Sequence, residues 1–318
     1  MTLTLSETSV FLRENDGYII LTHRRPDGDT VGSAVGLCLG LRAVGKQAFI
    51  AKNPEIVGRF ERMAGYLAPP DDFSPRTVLA VDTAARSLFP PAFEQMDIDL
   101  SIDHHPGDGA YAKMSLLDDG SAATGELVAR LLKEMRVELT LDMASALYVA
   151  IITDTGCFRF ENTTSRTLRT VADLADAGID MGALNTEYFV TKTPSRFALE
   201  AVLLRDVEYI GRIAVAFLTL EKIFDSKASY DDLDGISSLV KTIVGVDIGV
   251  TLREEKNGSV KVSVRTVSGY LANGICAKLG GGGHARAAGC LLDCGIDQAR
   301  EKVLGAIYEL YPELLPEG

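Results

Sequence analysis

One stretch limits what this chain can become. His23-Arg24-Arg25-Pro26-Asp27-Gly28-Asp29-Thr30-Val31-Gly32-Ser33 follows the apolar run Tyr18–Thr22 and precedes a small-residue, apolar segment, Ala34–Val44. The first flank reads as a short buried strand and the second as a helix. One imidazole and two carboxylates therefore share a strand-to-helix turn. Such a cluster of like charges is costly unless a cation neutralises it. The remaining sequence must supply whatever completes that turn.

Strand and helix signals alternate through the N-terminal half. Gln47–Ala51 reads as a strand and Arg59–Tyr66 as a short helix. Thr77–Val81 is a buried strand ending at Asp82, and Asp99–Ile102 another, ending at Asp103-His104-His105. Ser121–Met135 has helical spacing, with Ser121 and Thr124 placed to serve near its N-terminus. Met143–Thr153 is apolar throughout and ends at Asp154-Thr155-Gly156. Thr164–Ala177 is a helix stopped by Gly178. The alternation predicts an α/β domain: a mainly parallel sheet with helices on both faces. Ligands of such sheets sit beyond the carboxyl ends of the strands. His23, Asp27, Asp82 and His104 fall there.

Four clusters result: His23 with Asp27 and Asp29; Asp82; Asp103-His104-His105; and Asp154. The chain has four histidines, and three of them lie in these clusters. Singly, each has an ordinary reading. Asp27-Gly28-Asp29 suits a surface turn, Asp82 a helix cap, Asp154 a turn, and an isolated His a core position. A calcium loop would need further spaced ligands and a closing Glu, which are absent. As a set, metal binding accounts for them. Two imidazoles and four carboxylates suit two divalent ions with one shared carboxylate. The mixed N/O donors favour manganese, with cobalt or iron as alternatives. Paired ions activate water for phosphoryl displacement. No G-x-S-x-G or G-x-x-x-x-G-K-[ST] motif offers a competing chemistry.

The second half changes character. Residues 181–205 are polar and mixed, broken by Thr193-Pro194-Ser195, which predicts a connector. Arg212–Leu220 reads as a strand, Ile236–Val244 has helical spacing, and Gly249–Glu254 with Ser259–Thr266 form a hairpin around Lys256-Asn257-Gly258. The helix Tyr270–Leu279 runs into Gly280-Gly281-Gly282-Gly283-His284, and a last helix spans Ile296–Leu310. Four glycines suit a flexible linker. A run directly after an apolar helix and followed by the fourth histidine suits an anion-binding loop instead. Arg265, near a strand end, can fork onto a phosphate.

Composition narrows the partners. The net charge of −12 disfavours long nucleic acid as a stable partner and favours a small anion held by a few local cations. Five cysteines, an odd number and mostly isolated, argue against a disulfide framework and for a reducing compartment. Cys290 and Cys294 lack the second pair a zinc site would need. The N-terminus carries no secretory pattern and no run is long enough to span a membrane, so the expected location is cytoplasmic.

Taken together, His23-x-x-Pro26-Asp27-Gly28-Asp29-x-x-Gly32-Ser33, Asp103-His104-His105, Thr153-Asp154-Thr155-Gly156 and Gly280–His284 resemble, in the same order, the motifs of the DHH/DHHA1 phosphoesterases. The likeness is to the short stand-alone members of nanoRNase/pAp phosphatase type and spans almost the whole chain. It implies a DHH domain over 1–185, a connector over 186–208 and a smaller α/β DHHA1 domain over 209–318, with substrate held across a cleft. It implies His23, Asp27, Asp29, Asp82, His104 and Asp154 as ligands of two ions, most often Mn2+, with Asp82 bridging. Asp103 would orient an imidazole and His105 would lie near the scissile phosphate. Arg265, Asn273, Gly282, Gly283 and His284 would contact the terminal phosphate or base. The implied activity is hydrolysis of short oligoribonucleotides and linear dinucleotides such as pApA, together with pAp, by a soluble enzyme with no membrane partner; a homodimer is the oligomer to test. A cyclic dinucleotide (c-di-AMP) phosphodiesterase and a non-catalytic nucleotide-binding regulator are the alternatives.

Overall fold

A computed structural model gives the fold and describes residues 1–56, 58–107, 110–229, 231–233 and 235–315. Residues 316–318, the end of the expected C-terminal domain, lie outside that set. The backbone divides into two compact units, Met1–Thr191 and Lys192–Gly318.

The first unit runs α1 (Leu5–Glu14), β1 (Tyr18–Leu21), α2 (Gly28–Ala43), β2 (Ala48–Ile50), α3 (Gly58–Ala64), β3 (Thr77–Val81), β4 (Ile98–Asp103), β5 (Ala112–Leu117), α4 (Thr124–Glu134), α5 (Leu141–Asp154), α6 (Ser165–Asp176) and α7 (Met181–Asn185). Its five strands are all parallel, in the order β2-β1-β3-β4-β5. Strand alternation splits their side chains between two clusters. Tyr18, Ile20, Leu79, Val81, Leu100 and Ile102 pack with residues of α2, α4 and α5. Ile19, Leu21 and Ala80 face the other way, onto Phe89 and Phe93. Helices α2, α4 and α5 thus cover one face of the sheet, and the loop aromatics Phe89 and Phe93 pack on the other. The connections on that second side contain Pro69-Pro70, Pro75 and Pro90-Pro91, and proline excludes a helix interior.

The apolar run Met143–Thr153 belongs to helix α5, capped by Thr140, whose hydroxyl accepts the Met143 N–H. Between α2 and its neighbours lies a stripe of glycines at four-residue spacing. A Cβ on Gly32 would come within 2.3 Å of the Ala146 carbonyl oxygen, one on Gly28 within 2.5 Å of the Thr153 side chain, and one on Gly36 within 2.5 Å of Leu147. Residues four apart share a helix face, so the stripe lets α2 and α5 approach along their length.

The second unit runs α8 (Pro194–Arg205), β6 (Glu208–Ile210), β7 (Ile213–Leu218), α9 (Leu220–Asp225), β8 (Ile248–Glu254), β9 (Val260–Thr266), α10 (Ala272–Lys278), β10 (Gly282–Gly283), β11 (Ala287–Leu292) and α11 (Ile296–Leu310). The sheet order is β10-β11-β9-β8-β7-β6, parallel only between β7 and β8. One face carries α10 and α11, the other α8.

Two expectations change here. The segment read as a connector is largely helical: Thr186–Val190 forms a widened turn, and Pro194 opens α8 at its first position, where a missing N–H costs nothing. Ile236–Val244 forms two tight turns, Ile236–Ser238 and Val240–Thr242, in place of a helix. Ile236 and Val240 are buried under β7, and the Lys241 backbone runs so close to Gly249 that a Cβ there would meet its nitrogen at 2.9 Å. A full helix is too wide for that gap.

Candidate functional site

Strands β1, β3 and β4 are neighbours, and the residues just beyond their carboxyl ends converge. Asp27 caps α2, its carboxylate accepting the N–H groups of Asp29 and Thr30 at 3.1 Å each. Asp103 ends β4 and hands the chain to His104 and His105. Asp82 follows the middle strand and so stands between the two flanking groups. Its φ is +52°, an unfavourable value for a residue with a side chain. The sheet holds it there, since its N–H donates to the Ile102 carbonyl at 3.0 Å. Strain of this kind persists only where the surroundings over-determine it.

Hydrogen bonds set the donor atoms. His23 Nδ1–H donates to the Arg24 carbonyl at 2.8 Å and His104 Nδ1–H to the Ser121 carbonyl at 3.1 Å. Both rings therefore present Nε2 to the centre. His104 Nε2 lies 3.7 Å from Asp29, 3.7 Å from Asp82 and 3.6 Å from Asp154. His23 Nε2 lies 3.8 Å from Asp82. The Thr30 hydroxyl sits among them, donating to Asp82 at 2.6 Å and lying 2.5 Å from His23 Nε2. Asp103 accepts the His105 N–H at 3.0 Å and its Nδ1–H at 2.8 Å.

Asp29 is fixed from α4. The N–H groups of Thr124 and Gly125 donate to its carboxylate at 2.7 and 2.8 Å, and the Ser33 hydroxyl at 3.0 Å. Ser121 and Thr124 do not cap this helix with their side chains, since none bonds its first N–H groups; Asp29 takes that role from a distant turn. The Thr124 hydroxyl donates instead to Asp82 at 3.0 Å. Asp154 arrives differently. It is the last residue of α5, next to Thr153, and the Gly28–Thr153 contact sets that helix end beside the first turn of α2.

The electrostatics are those of a centre built for cations. Two like charges 4 Å apart repel by about 4 kcal/mol at an effective dielectric of 20. Asp29 is raised well above the usual carboxylate range, first by burial and then by Asp82 and Asp154. Asp154 is pushed up to about 7 by burial, with Asp27 and Asp82 adding to it against the pull of His104. Burial disfavours the His23 and His105 cations, but their carboxylate neighbours outweigh it and raise both to about 9. Burial also opposes charge on Asp82, yet His23, His104 and His105 hold it below the usual range. Raised proton affinities on His23, His105 and Asp154 thus offset part of the negative charge gathered here. Among the described residues, three groups have donor atoms within 4.8 Å of one another: His23–Asp27–Asp82, Asp29–His104–Asp154 and Asp82–His104–His105. Such nitrogen and carboxylate sets fit divalent transition ions.

The second unit gathers its own candidates by backbone pairing. Arg265 on β9 pairs with Ala287, and Gly283 with Ala288. The Ala272 N–H of α10 donates to the Ala285 carbonyl at 2.7 Å, which brings Asn273 to the same corner. The glycine run is neither linker nor open loop. Gly280 (φ +77°) ends α10. A Cβ on Gly281 would meet the Gly289 carbonyl at 2.3 Å, and Gly283 (φ +137°) pairs closely with β11. Gly282, Gly283 and His284 stay exposed.

Residues 18–151 match the DHH family, N-terminal domain, and residues 211–310 the DHHA1 domain. The chain belongs to the DHH family; it is a phosphoesterase, in a class of hydrolases that depends on metal ions. It is 35% identical over 295 residues to the bifunctional oligoribonuclease and PAP phosphatase NrnA of Thermus thermophilus, covering 91% of this chain and 89% of that protein. It is 27% identical to the cyclic-di-AMP phosphodiesterase GdpP of Bacillus subtilis over 94% of this chain but only 48% of that larger protein. The crystal structure of an exopolyphosphatase-related protein from Bacteroides fragilis has the same fold, with a TM-score of 0.87, 22% identity, and coverage of 98% of this chain and 97% of that one.

Sequence reading overlooked the supports of this centre. Thr30, Ser33 and Thr124 bond the carboxylates directly. The signal was available as small hydroxyl residues one turn from each acidic position. The glycines of α2, at a period of four, were equally visible.

Proposed function

We propose that this chain is a manganese-dependent hydrolase of short oligoribonucleotides and linear dinucleotides such as pApA, and also of pAp. In this reading His23, Asp27 and Asp82 hold one ion and Asp29, His104 and Asp154 the second, with Asp82 shared. The observation that carries it is the convergence of these six residues, from the ends of β1, β3, β4 and α5 and the first turn of α2, onto two donor groups linked by a third, Asp82–His104–His105. Two such ions, when bound, supply an activated water and neutralise the charge that builds on phosphorus. Asp103 holds the His105 ring so that its proton can serve the leaving oxygen. Arg265, Asn273, Gly282, Gly283 and His284 bind the far end of the nucleotide, and the acidic surface elsewhere keeps long strands away. The substrate class follows the oligoribonuclease and PAP phosphatase of Thermus thermophilus, which the chain matches over 91% of its length. No helix among the described residues is long and apolar enough to cross a membrane, and we place a homodimer in a reducing cytoplasm.

The test is a product assay on chelator-stripped protein with Mn2+ restored, offering pApA, pAp, cyclic di-AMP and a long single strand side by side. Mononucleotides from pApA and AMP from pAp, with the other two largely intact, support the reading. Preferential opening of the cyclic compound would replace it with a signalling phosphodiesterase. Tight binding without product would make the chain a nucleotide sensor.

A further inference from the structure

Asp29 and Asp82 are pinned by hydrogen bonds from neighbouring side chains and helix N–H groups. Asp154 is not. Its carboxylate faces His104 Nε2 at 3.6 Å and remains about one-third exposed, and among the described residues no hydrogen-bond donor fixes its oxygens. Its position must come from its backbone.

Beyond Asp154 the chain reverses through Gly156, Cys157 and Phe158, whose φ values are +56°, +57° and +64°. Two of these are not glycine, so the turn is costly and has to be held. What it delivers is Asn162. The Asn162 amide nitrogen donates to the Asp154 carbonyl at 3.2 Å and to the Ala122 carbonyl at 2.9 Å. Two carbonyl partners leave no doubt about which way the amide points. Ala122 follows Ser121, whose carbonyl holds the His104 ring. One side chain therefore ties the end of α5 to the turn that aims His104. Its Oδ1 is buried with no hydrogen-bond partner among the described residues, a cost that an apolar residue would avoid. The value of the position lies in its two donors.

We propose that Asn162 is a positioning residue that sets Asp154 against His104, and so governs the cation position formed by Asp29, His104 and Asp154 without governing the one formed by His23, Asp27 and Asp82. This rests on the two-cation reading above. Residues that orient metal ligands from behind typically change metal affinity by roughly ten- to a hundredfold.

The experiment is calorimetric titration of the chelator-stripped full chain with Mn2+ alone, comparing wild type, Asp154→Ala, Asn162→Ala, Asn162→Leu and the double variant Asp154→Ala/Asn162→Ala. Wild type should bind two ions, and Asp154→Ala should weaken one of them. Both Asn162 variants should weaken that same ion by roughly tenfold or more and leave the other unchanged. The double variant should bind no more weakly than Asp154→Ala, because a residue acting through Asp154 has nothing left to position. Leucine matches asparagine in shape, so it separates lost donors from a lost side chain. Two ions bound as in wild type by both Asn162 variants would overturn the inference, as would equal weakening of both ions with a lowered melting temperature. If wild type binds no second ion, or Asp154→Ala changes nothing, the two-cation reading falls, and this inference with it.

Discussion

In the first unit, Asp29 is 1% and Asp82 3% exposed, and each is fixed by hydrogen bonds from two different elements. In the second, Gly282 and Gly283 stand in solvent as a two-residue strand placed by backbone pairing with β11, and the exposed His284 follows them. A centre that gathers like charges needs many donors for its innermost carboxylates, because burial strengthens their mutual repulsion. A surface that meets a substrate phosphate needs only backbone N–H groups and room. Errors in the first should be costly to chemistry, and errors in the second should mostly affect affinity.

The largest expected effect tests that contrast at its centre. Asp82→Asn keeps the shape and tolerates the positive φ, but removes the charge shared by two donor groups. Metal-dependent turnover of pApA should fall by about 10³-fold or more, since several kcal/mol of charge stabilisation are at stake. The melting temperature of the metal-free protein should fall modestly, because His23, His104 and His105 favour the charged form of Asp82 in the folded state. Turnover near wild type would remove Asp82 from the centre.

Next comes the packing beneath the centre. Gly32→Val would drive a side chain into the Ala146 carbonyl and part α2 from α5, costing about 1–3 kcal/mol of stability. Urea unfolding should show that loss together with weaker Mn2+ binding. A loss of stability with metal affinity intact would separate the stripe from the centre.

The pH behaviour of the metal-free protein should run against the usual trend. Asp154 rises from its ordinary value to about 7, and His23 and His105 rise to about 9. Between the ordinary and folded values the folded state binds more protons than the unfolded one, so stability falls as pH rises. That window covers about pH 4 to 7 for Asp154 and about 6.5 to 9 for the histidines. Melting temperatures in chelator should decline across it, and added Mn2+ should raise them most at the upper end. A flat profile in chelator would mean that the carboxylates and rings do not share protons as described.

The smallest effects belong to the second unit. Gly282→Ala meets nothing within 4 Å, so it carries no packing cost, and any rise in KM reports a substrate at that strand. His284→Ala should raise KM by roughly tenfold with kcat nearly unchanged, as for a contact made equally before and during reaction. A fall in kcat for either variant would move this corner into the chemistry and dissolve the contrast.

The charged centre was legible in the sequence because imidazoles and carboxylates at strand ends have few other uses. The strands that carry them were legible as apolar runs. Elsewhere the signals were weaker or pointed two ways. Met143–Thr153 is apolar all round, and periodicity does not separate a buried helix from a buried strand. Strand β11, Ala-Ala-Gly-Cys-Leu-Leu, and the partly exposed β5 lack the β-branched residues that mark strands. Helix α1 was overlooked although Thr4 and Glu7 form a capping box. Asn162 gave no sign at all, since its partners are carbonyl groups brought near only by the fold.

The strand order β1-β3-β4 has one further consequence. Neighbouring strands lie about 4.8 Å apart, and each of these three ends at the centre, so the sheet acts as a ruler. Its hydrogen-bond repeat, and not any side chain, fixes how far the donors of one flank stand from those of the other. Substitutions can change which ion is preferred or how tightly it is held. Changing the separation would require a different strand in the middle.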